Sequence, residues 1–80
     1  MTLGIYTLQG TLFQGHVKKI IATTTAGEIT ILDHHIPLVA RLASPSVRLV
    51  DAQEKETIIK ITSGVLEVRG GSEVFILATQ

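Results

Sequence analysis

Gly27-Glu28-Ile29-Thr30-Ile31-Leu32-Asp33-His34-His35-Ile36-Pro37-Leu38-Val39 reads as a short alternating strand that runs into a polar corner and leaves through a proline. Glu28 and Thr30 alternate with Ile29 and Ile31, the period of two that buries one face of a strand and wets the other. Pro37 has no N–H and biases Ile36 toward extended backbone, so it marks the start of a segment or an edge.

The same pattern continues on both sides. The chain holds ten Ile and seven Val, β-branched residues whose stiff χ1 suits a pleated surface. Upstream, Leu3, Ile5 and Thr7 alternate with Gly4, Tyr6 and Leu8, and Gln9-Gly10 turns. Thr11 to Gln14 makes a second strand, closed by Gly15. Val17 to Thr24 makes a third, which keeps Val17 and Ile20 on one face only if Lys18-Lys19 forms a β-bulge. Thr25-Ala26-Gly27 is the loop before the opening strand. Downstream, Leu38 to Leu42 continues extended, Ala43-Ser44-Pro45-Ser46 turns, and Val47 to Asp51 alternates. Ala52 to Lys55 is a polar hairpin tip, and Glu56 to Thr62 returns. Gly64 interrupts, Val65 to Arg69 alternates, Gly70-Gly71 is a two-residue hairpin turn, and Glu73 to Ala78 closes. Such short runs, regularly broken by turns, predict an all-β sandwich or barrel of roughly eight to ten short, mostly antiparallel strands. With no linker, repeat or amphipathic helix, residues 1–80 read as a single domain with none following.

Composition narrows the function. Seven basic and seven acidic residues cancel, so the chain lacks the basic footprint of a nucleic-acid binder. It has no cysteine, which removes disulfides and thiolate metal sites. Its N-terminus does not read as a signal peptide, and no run approaches the roughly 18 apolar residues of a spanning helix. A mean hydropathy of +0.40 is high for so small a domain. Either the core is unusually efficient or an apolar face is kept for a partner.

Few residues point to chemistry. His34 and His35, with His16 and Asp33 as further donors, raise a metal site, yet neighbouring strand residues face opposite ways and no spacing matches a zinc pattern. No Gly-x-Ser-x-Gly elbow supports a Ser-His-Asp hydrolase. Gly70-Gly71 lacks the Lys-Ser/Thr and the helix of a phosphate loop. Lys18-Lys19 reads as protection of a sheet edge or as a contact for an acidic partner. Glu28 and Glu67 read as solvated strand positions or partner contacts. Two further readings stand beside these: a free-standing sandwich that binds a ligand or peptide by edge pairing, and a small metal-assisted enzyme using His16, His34 and His35.

Gly27-Glu28-Ile29-Thr30-Ile31-Leu32, His35-Ile36-Pro37-Leu38 and Ser63-Gly64-Val65-Leu66-Glu67-Val68 together resemble the N-terminal domain of the epsilon subunit of F-type ATP synthase, called delta in mitochondria. Leu12 to Val17, Pro45 before Val47-Arg48, and Val74 to Ala78 extend the resemblance over nearly the whole chain. It implies a flattened β-sandwich in the rotating central stalk, non-catalytic and without a cofactor. Its partners would be the gamma subunit and the c-ring, and its place the cytoplasmic face of the membrane, or the matrix or stroma side in an organelle. It would link ion translocation to ATP synthesis. The resemblance places Ala26, Gly27, Glu28 and Thr30 toward the c-ring and His35, Pro37 and Leu38 toward gamma. Three departures from the family pattern stand out: Asp33-His34 stands where Pro followed by Gly or Asn is usual, and Ser46 and Ser63 each stand where Gly is usual or frequent. Family members also continue into a helical hairpin that inhibits hydrolysis and in some members binds ATP. No part of that hairpin is present in these residues, so the reading expects neither activity.

Overall fold

A computed structural model describes residues 1–80, and it contains strands and turns only. The strands are β1 (Thr2–Thr7), β2 (Gly10–His16), β3 (Lys19–Thr24), β4 (Gly27–Leu32), β5 (Leu38–Val50), β6 (Glu56–Lys60), β7 (Ser63–Arg69) and β8 (Glu73–Thr79). They form one ladder in the order β2-β1-β8-β7-β5-β3-β4, with β6 also on β5. Every pairing is antiparallel except β1 with β8.

The ladder doubles back on itself. Its smallest dimension is 20 Å, too thick for one sheet when stacked sheets lie about 10 Å apart. The 13-residue β5 makes the fold-over possible. Its first half, Leu38–Ala43, pairs with β7. Its second half, from Ser46 to Val50, pairs with β6 and, over Val47–Val50, with β3. One layer is therefore β2, β1, β8, β7 and early β5; the other is β4, β3, late β5 and β6. The alternation seen in the sequence puts Leu3, Ile5, Leu66, Val68, Val74 and Ile76 of the first layer against Ile20, Ala22, Ile31, Val47 and Leu49 of the second. Burying one Leu or Ile side chain contributes roughly 1.5–3 kcal/mol. The four ion pairs all have at least one well-exposed partner and contribute little by comparison. The shared core holds the layers together.

The eight strands and their mostly antiparallel pairing agree with the sequence reading, and several local expectations are corrected. No bulge forms at Lys18-Lys19. Lys18 lies in the bend between β2 and β3, where the chain crosses from one layer to the other, and its N–H donates to the Val50 carbonyl at 2.8 Å. The register slips instead between Ile5 and Tyr6, where Leu12 is the unpaired residue of β2, and later in β3 between Ala22 and Thr24, opposite the β5 corner. Lys19 protects no edge, because β3 has neighbours on both sides. Ala43 to Ser46 is not a turn but the corner of β5, with a cis Ser44–Pro45 peptide. Proline suits a corner because an N–H there has no ladder partner to reach; the Pro45 carbonyl accepts from Ile61 N–H at 3.1 Å. Gly64 does not interrupt β7 but pairs within it, to Ala78 on one side and Leu42 on the other. The β7–β8 turn has three residues, Gly70, Gly71 and Ser72, because Arg69 pairs with Glu73.

Candidate functional site

The β3–β4 hairpin presents the first group of expected contact residues. Thr24 Oγ1 accepts from Ala26 N–H at 3.1 Å and donates to the Gly27 carbonyl at 2.6 Å, closing the turn. Gly27 has φ 127°, open to glycine and costly for any other residue. Thr25 N–H donates to the Arg41 carbonyl at 3.2 Å, tying the tip to β5. Ala26, Gly27, Glu28 and Thr30 are all exposed and lie along this one hairpin. Arg48 joins them from β5, its Nη2 at 3.8 Å from Glu28 Oε2. Sequence reasoning missed Arg48. It reaches β4 only because β3 pairs with both strands, setting Ile21 between Thr30 and Arg48. The result is a polar tip with one carboxylate, able to accept charge-assisted hydrogen bonds in competition with its own arginine.

The second group lies at the other end of β4, roughly 17 Å away along a six-residue strand. His35 N–H donates to the Leu32 carbonyl at 3.2 Å, and His34 between them has φ 63°. His34 N–H donates to Ser72 Oγ at 3.1 Å, which docks the corner on the β7–β8 turn. Asp33 accepts at 2.6 Å from the Met1 ammonium, which also donates to the Val17 carbonyl at 2.9 Å. The ammonium bond holds the Asp33 carboxyl below the usual carboxylate range. His35, half-buried, has Nδ1 2.7 Å from the Ile36 carbonyl, a bond it donates when that nitrogen is protonated. Leu38 packs against the core from its rim. Pro37 is exposed, and so are its flanking neighbours Ile36 and Val39, at 75% and 71%. His16, His34 and His35 do not gather: no three His, Asp or Glu side chains stand close enough to share an ion.

A third surface escaped the sequence reading. On the outer face of the first layer, register sets Tyr6, Leu77, Val65 and Arg41 in one row, and Gly4, Phe75, Glu67 and Val39 in the next. Leu77 and Val65 are 65% and 46% exposed. Arg69 stacks 4.4 Å above the Phe75 ring and donates from Nε to Glu67 Oε1 at 3.1 Å. Each residue alone reads as the odd apolar member of a wet strand face, which is common. Only the pairing of four strands brings Tyr6, Leu77, Val65, Phe75 and Val39 onto one face, with Arg41 and Glu67 among them. The high mean hydropathy is thus met by both of its expected causes, a full core and an uncovered face.

Residues 1–80 match the family model described as ATP synthase, Delta/Epsilon chain, beta-sandwich domain. The ATP synthase epsilon chain of Brevibacillus brevis is 36% identical over 78 residues, covering 98% of this chain and 58% of that protein. The epsilon chain of Bordetella parapertussis is 40% identical over 67 residues, covering 84% of this chain and 47% of its own length. The chain thus spans about half the length of these relatives. Among solved structures, a chain of the Euglena gracilis mitochondrial ATP synthase (OSCP, F1 and c-ring) superposes with a TM-score of 0.91 at 23% identity, covering 98% of this chain and 49% of that one. A chain of the Tetrahymena thermophila mitochondrial ATP synthase central stalk and c-ring superposes with a TM-score of 0.81 at 15% identity, covering all of this chain and 63% of the other. At those identities the structural likeness speaks for the fold.

Proposed function

This chain belongs to the ATP synthase delta/epsilon chain β-sandwich family, and on that premise we propose that it is a non-catalytic part of the central stalk, joining gamma to the c-ring so that ion flow and rotation stay linked. The observation that carries the reading is the separation, on one block, of a polar hairpin tip from a corner whose exposed Ile36, Pro37 and Val39 are apolar. The polar β3–β4 tip, with Ala26, Gly27, Glu28 and Thr30, meets the c-ring. The corner residues His35, Pro37 and Leu38, continued by Val39 onto the apolar outer face, meet gamma. A torque-bearing connector needs a stiff body between two contacts, and a double layer stitched by β5, which belongs to both halves, suits that need. Hydrophobic contact on one side gives affinity, while charged contacts at the tip fix register and orientation. The protein catalyses no reaction itself and lies at the membrane surface through its partners, on the cytoplasmic side in bacteria or the matrix or stroma side in organelles. Family membership favours this reading over a free-standing edge-pairing module.

The test is reconstitution. F1 complexes depleted of this subunit, recombined with c-ring vesicles, are expected to hydrolyse ATP with weak ion pumping, and adding the chain restores pumping. Binding to isolated gamma is expected to accompany the restoration. If the chain neither binds gamma nor restores pumping, the reading falls.

A further inference from the structure

On the outer face of the first layer, an open dent lies beside the Tyr6 ring, between the apolar rows and the β2 edge. The Tyr6 ring folds back over Gly4, whose hypothetical Cβ would lie only 2.3 Å from the Tyr6 hydroxyl. The dent holds about 350 Å³, and Tyr6, Phe75, Gln14, His16 and Glu73 line it beside Gly4. No lysine or arginine lines it. Glu73 takes part in none of the chain's ion pairs. Arg69 is its cross-strand partner in the backbone ladder, yet the Arg69 guanidinium is committed to Glu67 and to the Phe75 ring. The dent therefore combines an unpaired carboxylate, aromatic walls and an amide. Carboxylates bind cationic side chains by charge-assisted hydrogen bonds, and aromatic rings accept their charge and their methylene stems.

We propose that this dent is a socket for one lysine or arginine side chain of the protein that covers the apolar face, seated with its charged head on Glu73 and its stem between Tyr6 and Phe75. The proposal rests on the stalk reading, with gamma as the covering partner, and adds the chemistry of one contact. The neighbouring rows of Leu77, Val65 and Val39 would supply apolar area, and the socket would set the position of the partner on that area. An arginine fits best, because its planar fork can meet the Glu73 carboxylate through two donors while its face stacks on an aromatic ring.

The experiment measures binding of the chain to its cognate gamma subunit at two salt concentrations, with Glu73→Gln, Glu73→Lys and Glu56→Lys variants. Melting temperatures check that each is folded. Glu73→Gln is expected to weaken binding about tenfold or more, the scale of one lost hydrogen bond to a charged group, and to flatten the salt dependence. Glu73→Lys is expected to weaken it further by repulsion. Glu56→Lys changes net charge equally but lies on the other layer, and is expected to leave binding unchanged. If the unaltered chain binds gamma and both Glu73 variants bind equally well, the socket is refuted while the stalk reading stands. Equal losses in Glu56→Lys and Glu73→Lys would trace the effect to net charge and also refute the socket. No binding by the unaltered chain removes both readings. Should Glu73→Lys fail to fold, the uncharged Glu73→Gln still decides.

Discussion

His34 holds a left-handed backbone, φ 63°, a conformation that favours Gly and Asn and that His also visits. This explains why a position where the family resemblance leads one to expect Gly or Asn accommodates His here. The corner is held by its own backbone hydrogen bond and by the Ser72 contact. Other single residues report their surroundings by titration. Glu54 also has positive φ, 65°, and sits in the β5–β6 loop beside Lys18, which bonds its carboxylate. That hydrogen bond, reinforced by the charge of Lys18, lowers the Glu54 pKa. A depressed folded-state pKa means that the pair's contribution to stability is complete above the unfolded carboxylate range. It is lost as pH falls through the lower folded value. Carboxyl-carbon NMR titration is expected to place the Glu54 midpoint below that of an ordinary glutamate, and Lys18→Met is expected to raise it to the ordinary range. An unmoved midpoint in Lys18→Met would show that the contact is absent in solution.

Among the elements, β5 and β7 decide the architecture. β5 bends at Ser44–Pro45 and changes partners there, so one strand stitches two layers. β7 runs close against β8 at Gly64. A Cβ on Gly64 would lie 2.7 Å from the Leu77 carbonyl oxygen and 3.3 Å from Ala78 Cα. Both are backbone atoms of β8, with no side-chain rotation to relieve the clash. Alanine ordinarily stabilises a strand relative to glycine by roughly 0.5–1 kcal/mol. Here Gly64→Ala is expected to destabilise by about 1–3 kcal/mol, the range for overpacking, measured by urea unfolding. A neutral or stabilising result would mean that β7 and β8 can separate at little cost. The β3–β4 hairpin was legible in one dimension: Thr24, Gly27 and the alternation from Glu28 to Ile31 each satisfy a local rule. The β5 corner was not, because Pro45 and Ser46 look like turn residues whether the chain reverses or only changes layer.

At the scale of the molecule, a chain of 80 residues buries only roughly 60% of its unfolded surface. Its stability depends on a few wholly buried side chains. Leu66 is fully buried at the centre of the first layer, paired to Ile76 and Ala40. Leu66→Ala is expected to cost about 2–5 kcal/mol through lost burial and the cavity left behind. That is most of what a single small core supplies, so circular dichroism is expected to show a large fall in melting temperature or an unfolded chain. A small change would show that the layers collapse around the gap.

The sequence by itself determined the all-β class, most of the strand positions, the two-residue alternation, the exposed hairpin from Ala26 to Thr30 and the family, because these depend on residues close together along the chain: a period of two, a turn glycine, a run of motifs in order. Only the tertiary structure decided that β5 spans both layers, that Arg48 stands beside Glu28, and that Tyr6, Phe75, Leu77, Val65 and Val39 form one uncovered surface around the Glu73 dent. Those arrangements depend on which strands pair across the sheet and in what register. The energy that fixes register comes from burying one face of all the strands at once, so it is a property of the assembled core and of no single segment.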